Sequence, residues 1–523
     1  MNEKYLHVLL VAVVVISGFF LYQRSPYSGS NAYVSTDIAG LSEVKASETV
    51  ELKNGDTYAL TASYVAKNIN GTEYRMLAYN GSIPGPLIKV PQGAQITINF
   101  KNNMDMPTLL HSHGVRMDNQ FDGSQTSQKE MHPGETFSYK LKFPDAGVYW
   151  YHPHVREDFE QELGLYGNYL VVPSDTTYWS PVNREVALFF DDILIEDGKI
   201  NLSTKGADRT LMGRFGNVML VNGEPEYQLP VRTGEVIRFY ITNSANARPF
   251  NFAISGVKMK LVGGDGGASE REEWKNAVII GPSERAVVEV LFDREGSYTM
   301  QHKTPDKTYA LGMISVSGDE SLPSYAEAFA TLRTNSAAVE SIDPYRQYFD
   351  RPIDKRLTLT IDMMGGMMSN MGGSHRMSDG TVMSNVMMLS PDGIEWEDTM
   401  AMMNAMSNTG MTDWKIVDED TDKANMDIHW KFKVSDAVKI RISNDANSDH
   451  PMQHPVHFHG QQFLVLDRNG VPQTNLVWKD TVLVPAGQYV DILLVITNPG
   501  EWMAHCHIAE HLETGMMFSF EVQ

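Results

Sequence analysis

Ten of the sixteen histidines fall in four short clusters: His111 and His113; His152 and His154; His454, His457 and His459; His505, His507 and His511. The single cysteine, Cys506, lies inside the last cluster. One H-x-H pair on a strand can be two solvent-facing imidazoles, but four clusters with a thiol among them point to metal ligation. Imidazole serves copper, iron, zinc and nickel alike, so the soft ligands must choose the metal. His511 and Met516 follow Cys506 at five-residue steps, and His454 adds an imidazole from upstream. Two His, one Cys and a candidate axial thioether form the ligand set of a blue-copper electron-transfer site. A structural zinc site would want more thiolates or a closed His/Cys tetrahedron rather than a thioether.

Neighbouring strand residues face opposite ways. Cys506 would therefore face one metal while His505 and His507 face another cluster, so one tripeptide wires two sites together.

The elements that must position these residues read as β-structure. Past residue 30 the chain is a series of short β-branched and aromatic runs broken by Gly, Pro, Asn and Asp, for instance 95–100, 236–241 and 438–442. That pattern predicts an all-β sandwich or barrel. The three runs recur at equivalent places in an internal repeat, each followed by a similar closing segment at 147–154, 296–302 and 500–507. Six residues after the opening glycine stand Pro153, His302 and Cys506, so only the third repeat offers a thiolate there. Three β domains of one type follow, expected at 45–175, 182–318 and 352–523. The connector at 317–351 could include a helix at 325–332. Residues 363–411 hold 14 of the 30 methionines among Gly, Ser and Asn, and are expected to be a mobile loop rather than core.

An apolar run of 17 residues from Leu6 to Tyr22, flanked by Lys4 and Arg24, reads as a secretion signal or short membrane anchor within residues 1–30. The rest is expected to be exported, periplasmic or extracellular, and tethered to the membrane where the run serves as an anchor. A lone cysteine in an exported chain allows no intrachain disulfide, which leaves Cys506 to metal chemistry. With 43 Lys and Arg against 65 Asp and Glu, the net charge of −22 would repel nucleic acid and suits cations or neutral molecules.

The four motifs in this order, with Asn-Gly-Ser-Ile-Pro-Gly-Pro-Leu at 80–87, resemble the multicopper oxidase family over essentially the whole exported chain. The resemblance implies three cupredoxin-like Greek-key domains, with blue copper in the third and a three-copper cluster between first and third. It implies about four coppers: type 1 held by His454, Cys506, His511 and axial Met516, type 2 by His111 and His457, and a type 3 pair by His113, His152, His154, His459, His505 and His507. Such a set stores four one-electron donations and delivers them to dioxygen, giving water. Asp122, nine residues after His113, matches the family's proton relay; a turn aspartate is the plainer reading. The chain also departs from the family. Leu512 stands where copper-efflux oxidases carry glutamate, Ser112 where an aromatic residue is common, and Val155 to Phe159 where a Gly-rich stretch is usual.

Axial Met516 lowers the reduction potential relative to Leu or Phe, which makes resistant phenols poorer substrates. Thioethers prefer Cu(I), so the Met-rich segment fits a cuprous donor. Met452 matches a methionine that helps bind substrate copper in copper-efflux oxidases, and with Asp449 or His450, one or more loop methionines and Asp413 would feed the exposed edge of His454. The expected activity is oxidation of Cu(I) to Cu(II), with copper tolerance as its role. The alternative is a laccase acting on phenols or related organic donors. A monomer is expected. A copper nitrite reductase would need only a three-histidine second site, and a copper buffer on this fold would have lost ligands.

Overall fold

A computed structural model describes residues 35–363 and 390–523, with the backbone of a hairpin at 374–376 and 382–384. The apolar N-terminal run lies outside the described residues, among which no helix is long and apolar enough to cross a membrane.

Three pairs of β-sheets follow one another along the chain. The first pair joins a four-stranded sheet containing Gln95–Asn102 to a five-stranded sheet containing Leu110–His113 and Gly147–Pro153. The second joins six strands around Glu235–Asn243 to five around Gly296–Lys303. The third joins seven strands around Ala437–Asn444 to five that include His454–Phe458 and Gly500–Cys506. Each pair encloses its own apolar core. Alternation explains the half-buried strands: along Thr412–Asp418 every second side chain is buried. Glu235–Asn243 is buried throughout because its sheet meets the first domain on its other face, where Tyr240, Val262 and Val287 pack on Val148 and Leu170. Removing such side chains from water stabilises by about 1.5–3 kcal/mol each.

The closing strands occupy equivalent positions. Each pairs on one side with a strand carrying the first half of the repeat's motif: Leu110–His113, Phe250–Ile254 or His454–Phe458. His111 faces His152 in the first pairing, Phe252 faces His302 in the second, and His457 faces His505 in the third.

A helix at Ala326–Ala330 opens the connector, and a second at Ser336–Ile342 is capped by Asn335, whose Oδ1 accepts the Ala338 N–H at 2.9 Å. Where the methionine segment is described, at 363 and 390–411, it is ordered rather than the mobile loop expected of it. Met363 ends the strand Lys355–Met363, Ile394 and Trp396 are buried against Leu483, and Ala401–Met406 is helical. Asn404 explains this order: its side chain is buried, donates to the Gly213 carbonyl and accepts the Met212 N–H. Gly-and-Met composition does not reveal a docking contact nearly 200 positions away in sequence. Apart from the hairpin backbone, residues 364–389 lie outside the described residues.

Candidate metal centre

Strand parity sorts the last two clusters into two pockets. On His454–Phe458, His454 and Val456 share one face and His457 the other. Val456 pairs with Cys506 and His457 with His505, so the thiol and the flanking imidazoles point to opposite sides of one sheet.

In the first pocket Cys506 Sγ lies 3.4 Å from His454 Nδ1 and 3.8 Å from His511 Nδ1, and the two nitrogens are 3.4 Å apart. The short helix Ala509–Glu513 carries His511 back to the strand. Met516 is buried in the same core, and its carbonyl accepts the Cys506 N–H at 3.1 Å. The Ile508 N–H donates to Sγ at 3.4 Å, a contact that favours a thiolate. Burial opposes it and pushes the free thiol well above its ordinary pKa, so ionisation awaits a cation. Burial also holds His454 down at about 3, keeping it a neutral ligand.

The second pocket gathers the other eight clustered histidines at the contact between the first and third domains, all buried. His111 stacks on His459 with ring centroids 4.1 Å apart, and His113 on His457 at 3.7 Å. Carbonyl and carboxylate oxygens only accept, which fixes several tautomers. His111 Nδ1–H donates to the Asp122 carbonyl (2.7 Å), His152 to the Pro153 carbonyl (2.7 Å), His457 to the Asp480 carbonyl (2.8 Å) and His505 to the Cys506 carbonyl (2.8 Å). His459 Nδ1–H donates to Asp122 Oδ2 at 2.9 Å, and His154 Nδ1 meets Gln125 Oε1 at 3.0 Å. His113 is reversed: its Nε2–H donates to Asp480 Oδ1 at 3.0 Å.

The opposite ring nitrogens are left over. Nε2 of His111, His152, His154 and His457, Nδ1 of His113 and both nitrogens of His507 are buried without a hydrogen-bond partner, His154 Nε2 having only the Glu157 carboxyl nearby, while Nε2 of His459 and His505 face each other at 3.0 Å. Burial, reinforced by neighbouring imidazoles, lowers His152, His154, His457, His459 and His507 well below the ordinary range. Neutral imidazoles oriented from behind, with their lone pairs converging, suit metal ions. Triplets such as His154, His459 and His505, or His111, His113 and His152, have ligand atoms within 4.8 Å of one another.

Asp122 comes to the cluster because Gly123 turns at φ +78°, where a Cβ would run into the Leu110 carbonyl. Its Oδ1 has no hydrogen-bond partner.

The donor side differs from expectation. His454 is only 1% exposed, so it has no open edge. Trp414 covers it, edge-on at 4.8 Å, and stacks on His511 at 4.1 Å. The pleat of Thr412–Asp418 explains this, turning Trp414 inward and its neighbour Asp413 outward, where Lys415 pairs with it at 3.2 Å. Met452 is fully buried, since Asn444 Nδ2 donates to its carbonyl at 2.7 Å and draws that turn into the core. Asp449 accepts the Met363 N–H at 2.9 Å. His450 is buried, its Nε2 unpartnered, 6.5 Å from the Trp414 ring.

Four residues of the site escaped sequence reasoning: Trp414, Asp480, Arg285 and Glu157. Glu157 Oε1 lies 3.4 Å from His154 Nε2, and burial raises its carboxyl well above the usual range. The unusual run after His154 was its only signal. Asp480, Arg285 and Trp414 stand outside every motif.

A thiolate-type pocket and a histidine cluster on opposite sides of one sheet, in a triple cupredoxin-like fold, define a copper-binding oxidoreductase. Sequence models described as multicopper oxidase match residues 61–176, 191–319 and 396–523, and the chain belongs to the multicopper oxidase family. The family uses copper, with type 1, 2 and 3 sites. Copper resistance protein A of Escherichia coli is 26% identical, over 90% of this chain and 93% of its own length. Multicopper oxidase MmcO of Mycobacterium tuberculosis is 27% identical, over 88% and 86%. The solved multicopper oxidase of Campylobacter jejuni, described as a metallo-oxidase, shares the fold with a TM-score of 0.66 at 22% identity, over 94% of this chain and all of that one.

Proposed function

We propose that this protein is an exported oxidase that takes single electrons from cuprous ion and passes them to dioxygen, forming water and protecting its compartment from copper. One observation carries the reading: unpartnered nitrogens of neutral, buried histidines converge on one side of the Gly500–Cys506 strand while Cys506 Sγ meets two more imidazoles on the other. Bound copper supplies one-electron transfer at the first pocket and dioxygen reduction at the second.

In this reading His454, Cys506, His511 and Met516 hold the type 1 ion. His111 and His457 hold type 2, and His113, His152, His154, His459, His505 and His507 hold the type 3 pair. His505, Cys506 and His507 give the electron a covalent path between pockets, and Trp414 keeps water off the first. Asp122 orients His459 through Oδ2 and offers Oδ1 as a proton relay. Two observations support a soft-ion donor: the copper-resistance relative, and Met402 and Met406, 79% and 61% exposed on the helix Ala401–Met406. Because Met452 and His454 are buried, a cuprous ion would meet these methionines and the edge around Asp449 first.

The test is copper counting with spectroscopy, then oxygen uptake with Cu(I) or a bulky phenol as donor. About four coppers, an intense visible thiolate band and faster uptake with Cu(I) are expected. A protein holding one copper defeats the cluster, and faster uptake with the phenol makes it a laccase.

A further inference from the structure

We propose that Arg285, from the middle domain that contributes no cluster histidine, is a positioning residue: it fixes Asp480 so that His113 presents Nδ1, not Nε2, to the cluster. The inference rests on the cluster being a copper site.

Among the cluster imidazoles with an assigned tautomer, His113 alone points Nδ1 inward, because its Nε2–H is taken at 3.0 Å by Asp480 Oδ1 and by Thr481 Oγ1, whose own hydroxyl donates to Asp480 Oδ1 at 2.9 Å. Asp480 sits on the third domain, fully buried, and both its oxygens are held by the Arg285 guanidinium, Nη1 donating to Oδ1 at 2.6 Å and Nη2 to Oδ2. Asp480, His113 and His457 are near enough to share an ion. Yet a carboxylate gripped by a bidentate arginine is committed to orienting rather than ligating.

Arg285 is itself fully buried, and its contacts cross all three domains. Nε donates at 3.2 Å to the carbonyl of Val148, on the strand that also bears His152, and the Arg285 backbone N–H donates to Asp265 Oδ1 at 2.7 Å. Gly114, directly after His113, leaves room for the pair: its φ is +79°, and a Cβ there would collide with Asp480 Oδ2 and lie 3.0 Å from Arg285 Nη2. Docking of the middle domain therefore delivers the Arg285 cation that completes the cluster, while the same domain meets the Cys506 pocket through other residues, the Thr210 carbonyl accepting the Trp414 Nε1–H at 2.8 Å.

The full-length, copper-loaded protein tests this with Arg285→Met, Arg285→Lys and Asp480→Asn. Copper retained per chain is measured against a chelator series, and the Cys506–copper visible band serves as an internal reporter of third-domain folding. Arg285→Met and Asp480→Asn should release cluster copper at roughly 10–100-fold lower chelator, with the Cys506 band unchanged. Arg285→Lys, which keeps the charge but not the fork, should fall between them and wild type. Wild-type retention in Arg285→Met, or loss of the Cys506 band in step with cluster copper, overturns the proposal. If Arg285→Met fails to fold, Asp480→Asn and Arg285→Lys decide by the same criteria. A wild-type protein without cluster copper would instead defeat the underlying reading of the site.

Discussion

The Cys506 pocket and the eight-histidine cluster lie back to back on one strand but are built differently. His454, Cys506, His511 and Met516 lie within 63 residues of one domain and reach the pocket through local geometry: two paired strands and one short helix. The cluster takes four histidines from each of two domains, with their orientation set by Asp122, Asp480 and Arg285 from three. Middle-domain residues Leu211, Met212 and Ala247 also pack in the Cys506 core, but its ligands all come from one domain and should stay together when the Arg285 and Asp480 contacts are loosened, whereas ligands gathered across an interface should be the first to separate.

The comparison can be broken from either side. The largest effect should come from Cys506→Ser, which removes the only thiolate: the visible band vanishes and donor-driven oxygen uptake drops to background, while cluster copper, measured by elemental analysis, stays. Loss of both sets of copper would show that the pockets are not independent.

Next is Trp414→Ala, which empties a buried space over His454 and His511 and should cost about 3–5 kcal/mol in chemical denaturation. The Cys506 band should shift and the cluster should not respond. Asp122→Asn acts on the other pocket. It weakens the acceptor for His459 Nδ1–H and should lower cluster copper affinity or turnover by roughly 10-fold or more, leaving the Cys506 band in place.

The smallest effect is on pH dependence. Glu510, beside His511, is held up at about 7 by burial, with Arg214 pulling the other way. An unfolded chain ionises this group from about 4.5, so the copper-free fold keeps a proton that the unfolded state has lost. Its stabilising contribution is complete below about pH 4.5 and is lost as pH rises to about 7, at up to roughly 1.4 kcal/mol per pH unit. Glu510→Gln should flatten that slope in urea titrations of metal-free protein; an unchanged slope would assign it elsewhere.

Much of this was legible in the sequence because its information is local. Alternating strands, the recurring Gly-led closing segments and the H-x-H spacings all express the two-residue period of a β-strand, and parity alone put Cys506 opposite His505 and His507. What was not legible depends on contacts between distant segments. The order of residues 390–411 rests on Asn404 meeting the 212–213 backbone, and the closed edge of His454 rests on one inward tryptophan in an ordinary strand. An exposed donor site was therefore expected where Trp414 and the buried Met452 now stand.

By itself the sequence determined the ligand types, their order and the two faces on which they fall, since covalent neighbours on a strand have no choice of side. Only the tertiary structure decided which nitrogen each imidazole offers and what stands between the copper pocket and solvent. Those depend on acceptors such as Asp480 and on Arg285 behind it, brought within hydrogen-bond reach by domain packing across some 200 to 370 residues of chain.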